Sequence, residues 1–308
     1  MHCSDRKEDK IMVGKQERRY QRMITVVLAL ISLIMVIPLV LLVIASFTSN
    51  NEIVLHGYSF FPKELSLEAY RYIWNERAQV FHAYGITILV TAIGTTIGVM
   101  MTLLYAYVLA HEKFPGKTFL AFYLFFTMLF NGGLVPTYIM YTRYLHMKNT
   151  IPALIIPGLL MSAFNVILTR TYIQSNVPAA LSEAAKIDGA TEFQVFRKVV
   201  LPMCKPIIAT VGLFAGLGYW NDWTNGLYYI TDTNKFSIQQ LLNNMIKNIE
   251  FLSKNANSNI NLASVGGGIP QETVRMAIAI VGLLPILIVF PFVQKYFVKG
   301  ISIGAVKG

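Results

Sequence analysis

The chain has 308 residues, of which 55% are hydrophobic and 14% are charged, and its mean hydropathy is +0.52. This composition is too apolar for an ordinary soluble domain, so it indicates a protein that crosses a membrane several times. The formal net charge of +10 does not indicate nucleic-acid binding, because the basic residues follow the predicted membrane topology.

Basic residues concentrate in alternate loops of that topology. Seven lie before Ile24, five lie in residues 170–205 and three lie from Lys295 onward, whereas the loops of the opposite side hold eight in all. Positively charged loops remain in the cytoplasm. The distribution therefore predicts a multi-pass membrane protein with both termini and the 178–206 loop in the cytoplasm.

Six apolar segments predict an all-α membrane protein with six transmembrane helices. The membrane domain is predicted at residues 24–292. A cytoplasmic tail, residues 1–23, precedes it, and a flexible cationic tail, residues 293–308, follows it. The spans are predicted at about Ile24–Phe47, His82–Ala110, Thr118–Tyr141, Ile151–Arg170, Ile207–Asn221 and Thr273–Phe292.

Two predicted spans contain residues that are unusual at membrane depth. Span three is interrupted by Asn131-Gly132-Gly133 and Pro136, and such a break exposes backbone groups that only protein or a watery cavity can accommodate. The break is a candidate element of a solute pathway or a packing kink. Span four contains Asn165, whose amide requires a partner on another helix or in the transport route.

The residues after span five resemble a sugar-binding rim in their chemistry. They run Tyr-Trp-Asn-Asp-Trp-Thr-Asn from Tyr219. Aromatic rings stack on the C–H faces of sugars, while amides and carboxylates bond the hydroxyls, so Trp220, Asn221 and Asp222 are candidate pathway residues. An interfacial aromatic belt that ends the helix is the alternative. The next segment, Asn225–Gln271, is predicted to be a long, polar and extended external loop.

The mostly polar 178–206 loop is predicted to form two short helices joined by a sharp corner. The first is predicted to begin at Pro178 and to end at Asp188-Gly189, where glycine can adopt the left-handed conformation that follows a helix. The second begins with a capping box of Thr191 and Gln194. An apolar face is predicted at Phe193, Phe196, Val199 and Val200.

A long spaced pattern runs through this loop. Glu183-Ala184-Ala185 is followed after three residues by Gly189, and after nine more by Val199 and then Leu201-Pro202. The pattern resembles the cytoplasmic coupling loop of ABC importer membrane subunits, with valine in place of the usual isoleucine. The resemblance covers nearly the whole chain, including Asn131 to Thr137 and Phe164-Asn165-Val166. The chain is similar to the maltose-transporter-type permeases of carbohydrate uptake, especially the smaller permease of Gram-positive oligosaccharide or polysaccharide-fragment importers.

This resemblance implies the type I ABC importer permease fold, in a bacterial cytoplasmic membrane. It implies a heterodimer with a second permease, two copies of an ATPase that binds ATP and Mg, and an external lipoprotein that delivers carbohydrate. It also implies that Lys299 and Lys307 lie in a tail that faces the ATPase. The residues expected to couple the chain to the ATPase are Glu183, Ala184, Ala185, Asp188, Gly189, Phe193, Leu201 and Pro202. In the best understood relatives the companion permease makes most sugar contacts.

The sequence lacks the common signatures of catalysis. It has no GxxxxGK(S/T) phosphate loop, no HExxH motif, no Cys/His metal cluster and no GxSxG elbow. We therefore expect no catalytic residue, metal or cofactor in this chain, and the energy for transport must come from a partner. A permease for a peptide or an amino acid, and a membrane scaffold or sensor with this fold, are the alternatives.

Overall fold

The computed structural model describes residues 5–111, 114–256 and 270–305. Within these ranges the chain forms helices and no β-strand, and Thr48 pairs with Leu65 in an isolated antiparallel bridge. The prediction of an all-α protein is confirmed. The helices are α1 (Asp5–Ser46), α2 (Asn50–His56), α3 (Glu68–Asn75), α4 (Arg77–Ala110), α5 (Lys117–Leu129), α6 (Leu134–Ile139), α7 (Pro152–Ile155), α8 (Ala163–Asn176), α9 (Ala179–Ile187), α10 (Glu192–Val195), α11 (Leu201–Met203), α12 (Lys205–Trp220), α13 (Thr224–Tyr229), α14 (Ile238–Ala256) and α15 (Gln271–Ala305).

Three described helices are long and apolar enough to cross a membrane, and the number rises to five if each of two bent helix pairs is one span. The three are Glu17–Ser46, Arg77–Ala110 and Gln271–Pro291, and the pairs are Lys117–Leu129 with Leu134–Tyr144 and Glu192–Met203 with Lys205–Trp220. The predicted break in span three is confirmed, because the first pair bends by 113°. At this bend Gly133 has a φ of +82° and donates its N–H to the side chain of Asn131 over 2.9 Å.

Predicted span four is not one helix, which corrects the sequence analysis. Helix α7 ends at Ile155 and α8 begins at Ala163. Between them Pro157 has no N–H to donate, and Gly158 has a φ of +73° that favours glycine. The element is therefore discontinuous at membrane depth.

Both ends of the membrane domain continue as helix. Helix α1 begins at Asp5, so it includes most of the predicted N-terminal tail, and α15 continues to Ala305. The prediction of a flexible segment after residue 292 was wrong for the described part of that segment. Gly300 and Gly304 each lower helix propensity by about 1 kcal/mol, but extending an existing helix costs far less than nucleating a new one.

The chain forms two compact units, of which the first comprises Met1–Trp74 with Leu252–Val281. In this unit the segment after α1 is held by polar contacts: the hydroxyls of Ser46 and Tyr70 are 2.8 Å apart, and the Glu52 carboxylate accepts the N–H groups of Lys63 and Glu64 over 2.6 Å each. These two hydrogen bonds hold the pKa of Glu52 below its ordinary value.

The second unit comprises Asn75–Phe251 with Gly282–Gly308. Helix α4 packs against α8 and α12 there. One buried cluster of this unit centres on Leu109, Val166 and Val200, and another centres on Tyr219 and Tyr229. This unit contains the 178–206 loop and the discontinuous span.

The predicted extended external loop is largely helical where it is described, which is a second correction. Helix α14 has the side chains of Ile238, Leu241, Leu242, Met245 and Ile249 buried. They recur at three- and four-residue spacing, as in an amphipathic helix. The N–H of Ile238 also donates to the Thr87 hydroxyl of α4 over 2.8 Å. Residues 257–269 of the predicted loop lie outside the described ranges.

Candidate functional site

The corner of the 178–206 loop forms as the sequence predicts. Helix α9 begins at Ala179, one residue after the predicted start, and Gly189 beyond its end has a φ of +83°. The N–H of Gly189 donates to the carbonyl of Lys186 over 3.0 Å, and that of Ala190 donates to the carbonyl of Ala185 over 2.9 Å. This pair of bonds is the Schellman motif, which requires the left-handed residue that glycine supplies.

The second arm begins with the predicted capping box. The Thr191 hydroxyl accepts the N–H of Gln194 over 3.3 Å, and the Gln194 side chain accepts the N–H of Thr191 over 2.9 Å. We call residues 179–203, from α9 through α11, the coupling hairpin.

The apolar face of the second arm differs from the predicted one. Val195, Phe196 and Val200 are buried, whereas Phe193 is 65% exposed. The reason is the π-helical turn Phe196–Val200. Its wider spacing brings residues five apart onto one face, so Val195 rather than Phe193 shares a face with Val200.

The first arm of the coupling hairpin exposes both polar and apolar side chains. Glu183, Ala184, Asp188 and Gly189 are exposed and Ala185 is half-buried. Leu181 is 46% exposed and Ile187 is 86% exposed. With Ala184 they recur every three residues, a signal that the sequence analysis did not use. The hairpin therefore presents an apolar strip beside a carboxylate.

The base of the coupling hairpin lies beside a sharp bend. Leu201 is half-buried and Pro202 is exposed, and the axis turns by 81° between Met203 and Lys205. Cys204, at the bend, is completely buried. Thus the residues proposed for coupling lie at three places: on the first arm and its corner, at Phe193 near the start of the second arm, and at the base of the second arm.

The break in span four borders a cavity of about 390 Å³. Its polar and small lining residues include Gly98 and Thr102 of α4, Gly158 and Ser162 of the break, and Asn165 of α8. The side chain of Asn165 is 9% exposed, and among the described residues its amide has no hydrogen-bond partner. The cavity thus contains a buried amide that is available to bond another molecule.

The backbone carbonyls freed by the break are partly satisfied by other helices. The Tyr219 hydroxyl donates to the carbonyl of Ile155 over 2.9 Å, and the Asn225 amide donates to the carbonyl of Pro157 over 2.9 Å. At Gly98 a Cβ atom would meet the carbonyl oxygen of Leu160 at 2.7 Å. These contacts explain how non-helical backbone is tolerated at this depth.

The other candidate pathway residues form hydrogen bonds within the chain and do not line the cavity. Asn131 caps the break in span three. The Trp220 indole donates to the carbonyl of Gly282 over 3.3 Å, and the Asn221 amide donates back to its own helix. Asp222 accepts the N–H groups of Thr224 and Asn225, while burial raises its pKa above the ordinary value.

The predicted ATPase-facing tail is described in part. Lys299 lies within helix α15. Lys307 lies outside the described residues.

Comparison with known proteins decides the family. Residues 108–303 match the family described as "Binding-protein-dependent transport system inner membrane component". The chain belongs to this family. It is therefore a permease subunit of a transport system and an integral membrane protein. The match includes the coupling hairpin and most of the residues that line the cavity.

Full-length relatives support this assignment. The chain is 35% identical over 293 residues to the polygalacturonan/rhamnogalacturonan transport system permease protein YtcP of Bacillus subtilis (strain 168), covering 95% of this permease and 100% of the relative. It is 26% identical to the arabinooligosaccharides transport system permease protein AraQ of Halalkalibacterium halodurans, covering 93% of this permease and 96% of the relative.

A solved structure supports the fold. A chain of a bacterial ABC transporter involved in the import of the acidic polysaccharide alginate superposes with a TM-score of 0.73 and is 27% identical in sequence. The match covers 92% of this permease and 98% of that chain. The predicted type I ABC importer permease fold is confirmed.

Proposed function

We propose that this permease imports a carbohydrate, an oligosaccharide rather than a peptide or an amino acid, in an ATP-driven importer. The observation that carries the proposal is the full-length similarity to permeases named for polygalacturonan/rhamnogalacturonan and arabinooligosaccharide transport. The alginate importer adds a structural relative for an acidic polysaccharide. Fragments of uronate polymers are therefore the first substrates to test.

The proposed mechanism is alternating access driven through the coupling hairpin. Two ATPase subunits bind ATP and Mg, and closure of their dimer displaces the hairpin, so the spans move to an outward-facing state that accepts sugar from an external lipoprotein. A second permease completes the pathway. In this chain Ala184, with its small side chain, lets the ATPase approach the backbone of α9, while Glu183 bonds within the contact.

The exposed apolar side chains of the coupling hairpin support this role. Leu181, Ile187 and Phe193 are exposed apolar side chains on a loop assigned to the cytoplasm by its flanking charges. Such a strip is unfavourable in water and favourable in a protein interface. The proposed role of Lys299 and Lys307 is to face the same ATPase.

The proposed sugar contact of this chain is Asn165. Its amide is buried in the cavity and has no hydrogen-bond partner among the described residues, and an amide can both donate to and accept from sugar hydroxyls. Trp220, Asn221 and Asp222 are weaker candidates, since their polar groups already form hydrogen bonds within the chain.

The test is uptake by the complete transporter in liposomes containing ATP and Mg. Labelled fragments of polygalacturonan, alginate oligosaccharides, arabino-oligosaccharides and a dipeptide would be compared, each with its external receptor candidates. We expect ATP-dependent uptake of one saccharide class and none of the dipeptide. Uptake of the dipeptide alone would overturn the proposed substrate class.

A further inference from the structure

One carboxylate of the coupling hairpin lies where three structural elements meet. Glu192, the first residue of α10, has an oxygen 2.5 Å from the ammonium of Lys186 on α9. Its other oxygen accepts the hydroxyl hydrogen of Tyr107 on α4 over 3.0 Å. The imidazole Nε2 of His111, which follows α4, is 3.8 Å from that oxygen. The two arms and the end of α4 therefore share one acceptor.

Aromatic and apolar side chains pack around the Tyr107 ring that bonds Glu192. The ring of Tyr107 lies 5.2 Å from that of Phe196 and 4.9 Å from that of His111, measured between centroids. Phe196 and the adjacent Val195 are buried. The Tyr107 hydroxyl is thus held in place by the rings around it, and it gives the carboxylate a fixed position relative to α4.

The charge state of Glu192 suits this arrangement. The hydrogen bond from Lys186 holds the pKa of the Glu192 carboxyl below its ordinary value, and the Tyr107 hydroxyl acts in the same direction. The side chains of Lys186 and Glu192 are 38% and 61% exposed, so the ion pair adds little to global stability. We therefore expect the contact to affect the relative position of the two arms and α4 more than the stability of the whole fold.

Helix α4 extends from this contact to the cavity. Thr102, which lines the cavity, precedes Tyr107 by five residues on the same continuous helix, a rise of about 7.5 Å. The chain itself joins the hairpin to the spans at two places, through the extended residues Val177 and Pro178 to α8 and through the 81° bend at Cys204 to α12. Each of these connections interrupts a helix and can absorb a displacement, whereas α4 is one continuous helix between Tyr107 and Thr102, so the route through α4 is the stiffest of the three.

We propose that Glu192 is a positioning residue that, with Lys186 and Tyr107, fastens the coupling hairpin to the end of α4. A displacement of the hairpin then moves the α4 wall of the cavity as well as α12. This inference rests on the proposed coupling function of the hairpin, and it adds the contact by which the hairpin moves the spans.

The experiment is a charge exchange in the complete, full-length transporter in lipid. Lys186→Glu and Glu192→Lys each place two like charges together, and the double variant restores an opposite pair with its order reversed. The matched control is Lys198→Glu, which changes the charge of the same hairpin by the same amount at an exposed lysine that forms no salt bridge among the described residues. Tyr107→Phe removes only the hydroxyl.

Two quantities are measured for each variant: the exchange rates of the α9 backbone amides, and the ATP hydrolysed per fragment of polygalacturonan imported. We expect each single variant to exchange about two- to fivefold faster than wild type and to hydrolyse more ATP per sugar. The double variant should move both quantities back toward wild type, because the opposite pair re-forms and the ammonium at position 192 can donate to the Tyr107 hydroxyl oxygen in place of the lost acceptor. Lys198→Glu should leave exchange unchanged, and Tyr107→Phe should give a smaller change in the same direction as the single charge variants.

Three results would overturn the proposal. They are single variants that match Lys198→Glu, a double variant no better than the single ones, and restored exchange without restored transport. Failure of the proposed function is distinguishable, because it would appear in the wild-type transporter as ATP hydrolysis that no saccharide changes. The exchange rate of Tyr107→Phe would still decide whether the hairpin is fastened to α4, because Lys186 and Glu192 both lie within the hairpin and Tyr107 lies on α4.

Discussion

Replacing Gly189 tests the corner of the coupling hairpin most sharply. The residue has a φ of +83°, and among the described residues other than its two chain neighbours no heavy atom lies within 4 Å of the position that a Cβ would occupy. A substitution there meets no neighbour within this chain, so its cost in the permease itself is confined to the backbone. Within the permease, the series Gly189→Asn, Gly189→Ala and Gly189→Val therefore varies the tolerance of the side chain for the left-handed conformation, and Gly189→Asn controls for the bulk that any side chain adds at the ATPase contact.

The expected magnitudes follow from that tolerance. An alanine in the left-handed region costs about 1–2 kcal/mol, which is about a five- to thirtyfold loss in the population of the native corner. Asparagine adopts this region more readily, whereas a β-branched residue with positive φ is a rare outlier. We expect saccharide uptake to fall in the order wild type, asparagine, alanine, valine, with uptake nearly abolished in Gly189→Val.

The assay is ATP-driven uptake in liposomes, normalised to the amount of assembled transporter. Gly85→Ala is the matched control, since Gly85 also has no atom within 4 Å of its Cβ position but has no positive φ. Membrane insertion should be unchanged throughout the series. Uptake by Gly189→Val equal to that of Gly189→Asn would refute the argument that the left-handed corner is required.

Three further predictions concern other contacts. Gly94→Leu forces a side chain into the ring of Tyr219, so it should lower the free energy of unfolding of the permease by about 1–3 kcal/mol and lower its thermal midpoint. The control Gly85→Leu should leave the midpoint unchanged. Equal midpoints for the two variants would contradict the close packing of Gly94 against Tyr219. Asn165→Leu should reduce saccharide uptake without lowering that midpoint, and unchanged uptake would remove Asn165 from the pathway. The pKa of Glu192 is lowered from its ordinary value of 4.5. Its carboxylate therefore stabilises the hairpin fully at a pH above 4.5, and this contribution is lost as the pH falls through the lowered pKa. Intrinsic-rate-corrected exchange of α9 amides should therefore rise below pH 4.5, and a flat profile would contradict the contact.

The coupling hairpin was predictable because local residues determine it. A glycine after a helix and a threonine with glutamine three residues later specify a corner and a cap through bonds between near neighbours. The side chains that face the core were less predictable. The π-helical turn changes the spacing after Val195, and no short sequence pattern distinguishes it from an ordinary helix.

The discontinuity of span four could not be predicted from hydropathy. Apolar residues occupy both sides of the break, so their average matches that of a continuous span. The break is stabilised by contacts from distant residues, such as Tyr219 to Ile155 and Asn225 to Pro157. Sequence chemistry selected Asn165, which lines the cavity, but it also selected Asn221 and Asp222, whose polar groups bond the local backbone.

Helix α14 was missed for a different reason. Its asparagines and lysines suggested an extended polar loop, yet the apolar residues between them recur with helical spacing from Ile238 to Ile249. Burial of that face compensates for the low helix propensity of asparagine. Periodicity was the better signal here, and composition alone concealed it.

The central claim is that the coupling hairpin links ATP hydrolysis in a partner to saccharide import. The most direct measurement is the ATPase rate of the complete transporter in lipid, with its external receptor, in the presence and absence of the imported saccharide, for wild type and Glu183→Ala. We expect stimulation by saccharide in wild type and its loss in Glu183→Ala, although the assembled complex still forms. Equal stimulation in both proteins would contradict the coupling role assigned to Glu183, and no stimulation by any saccharide in wild type would contradict the claim itself.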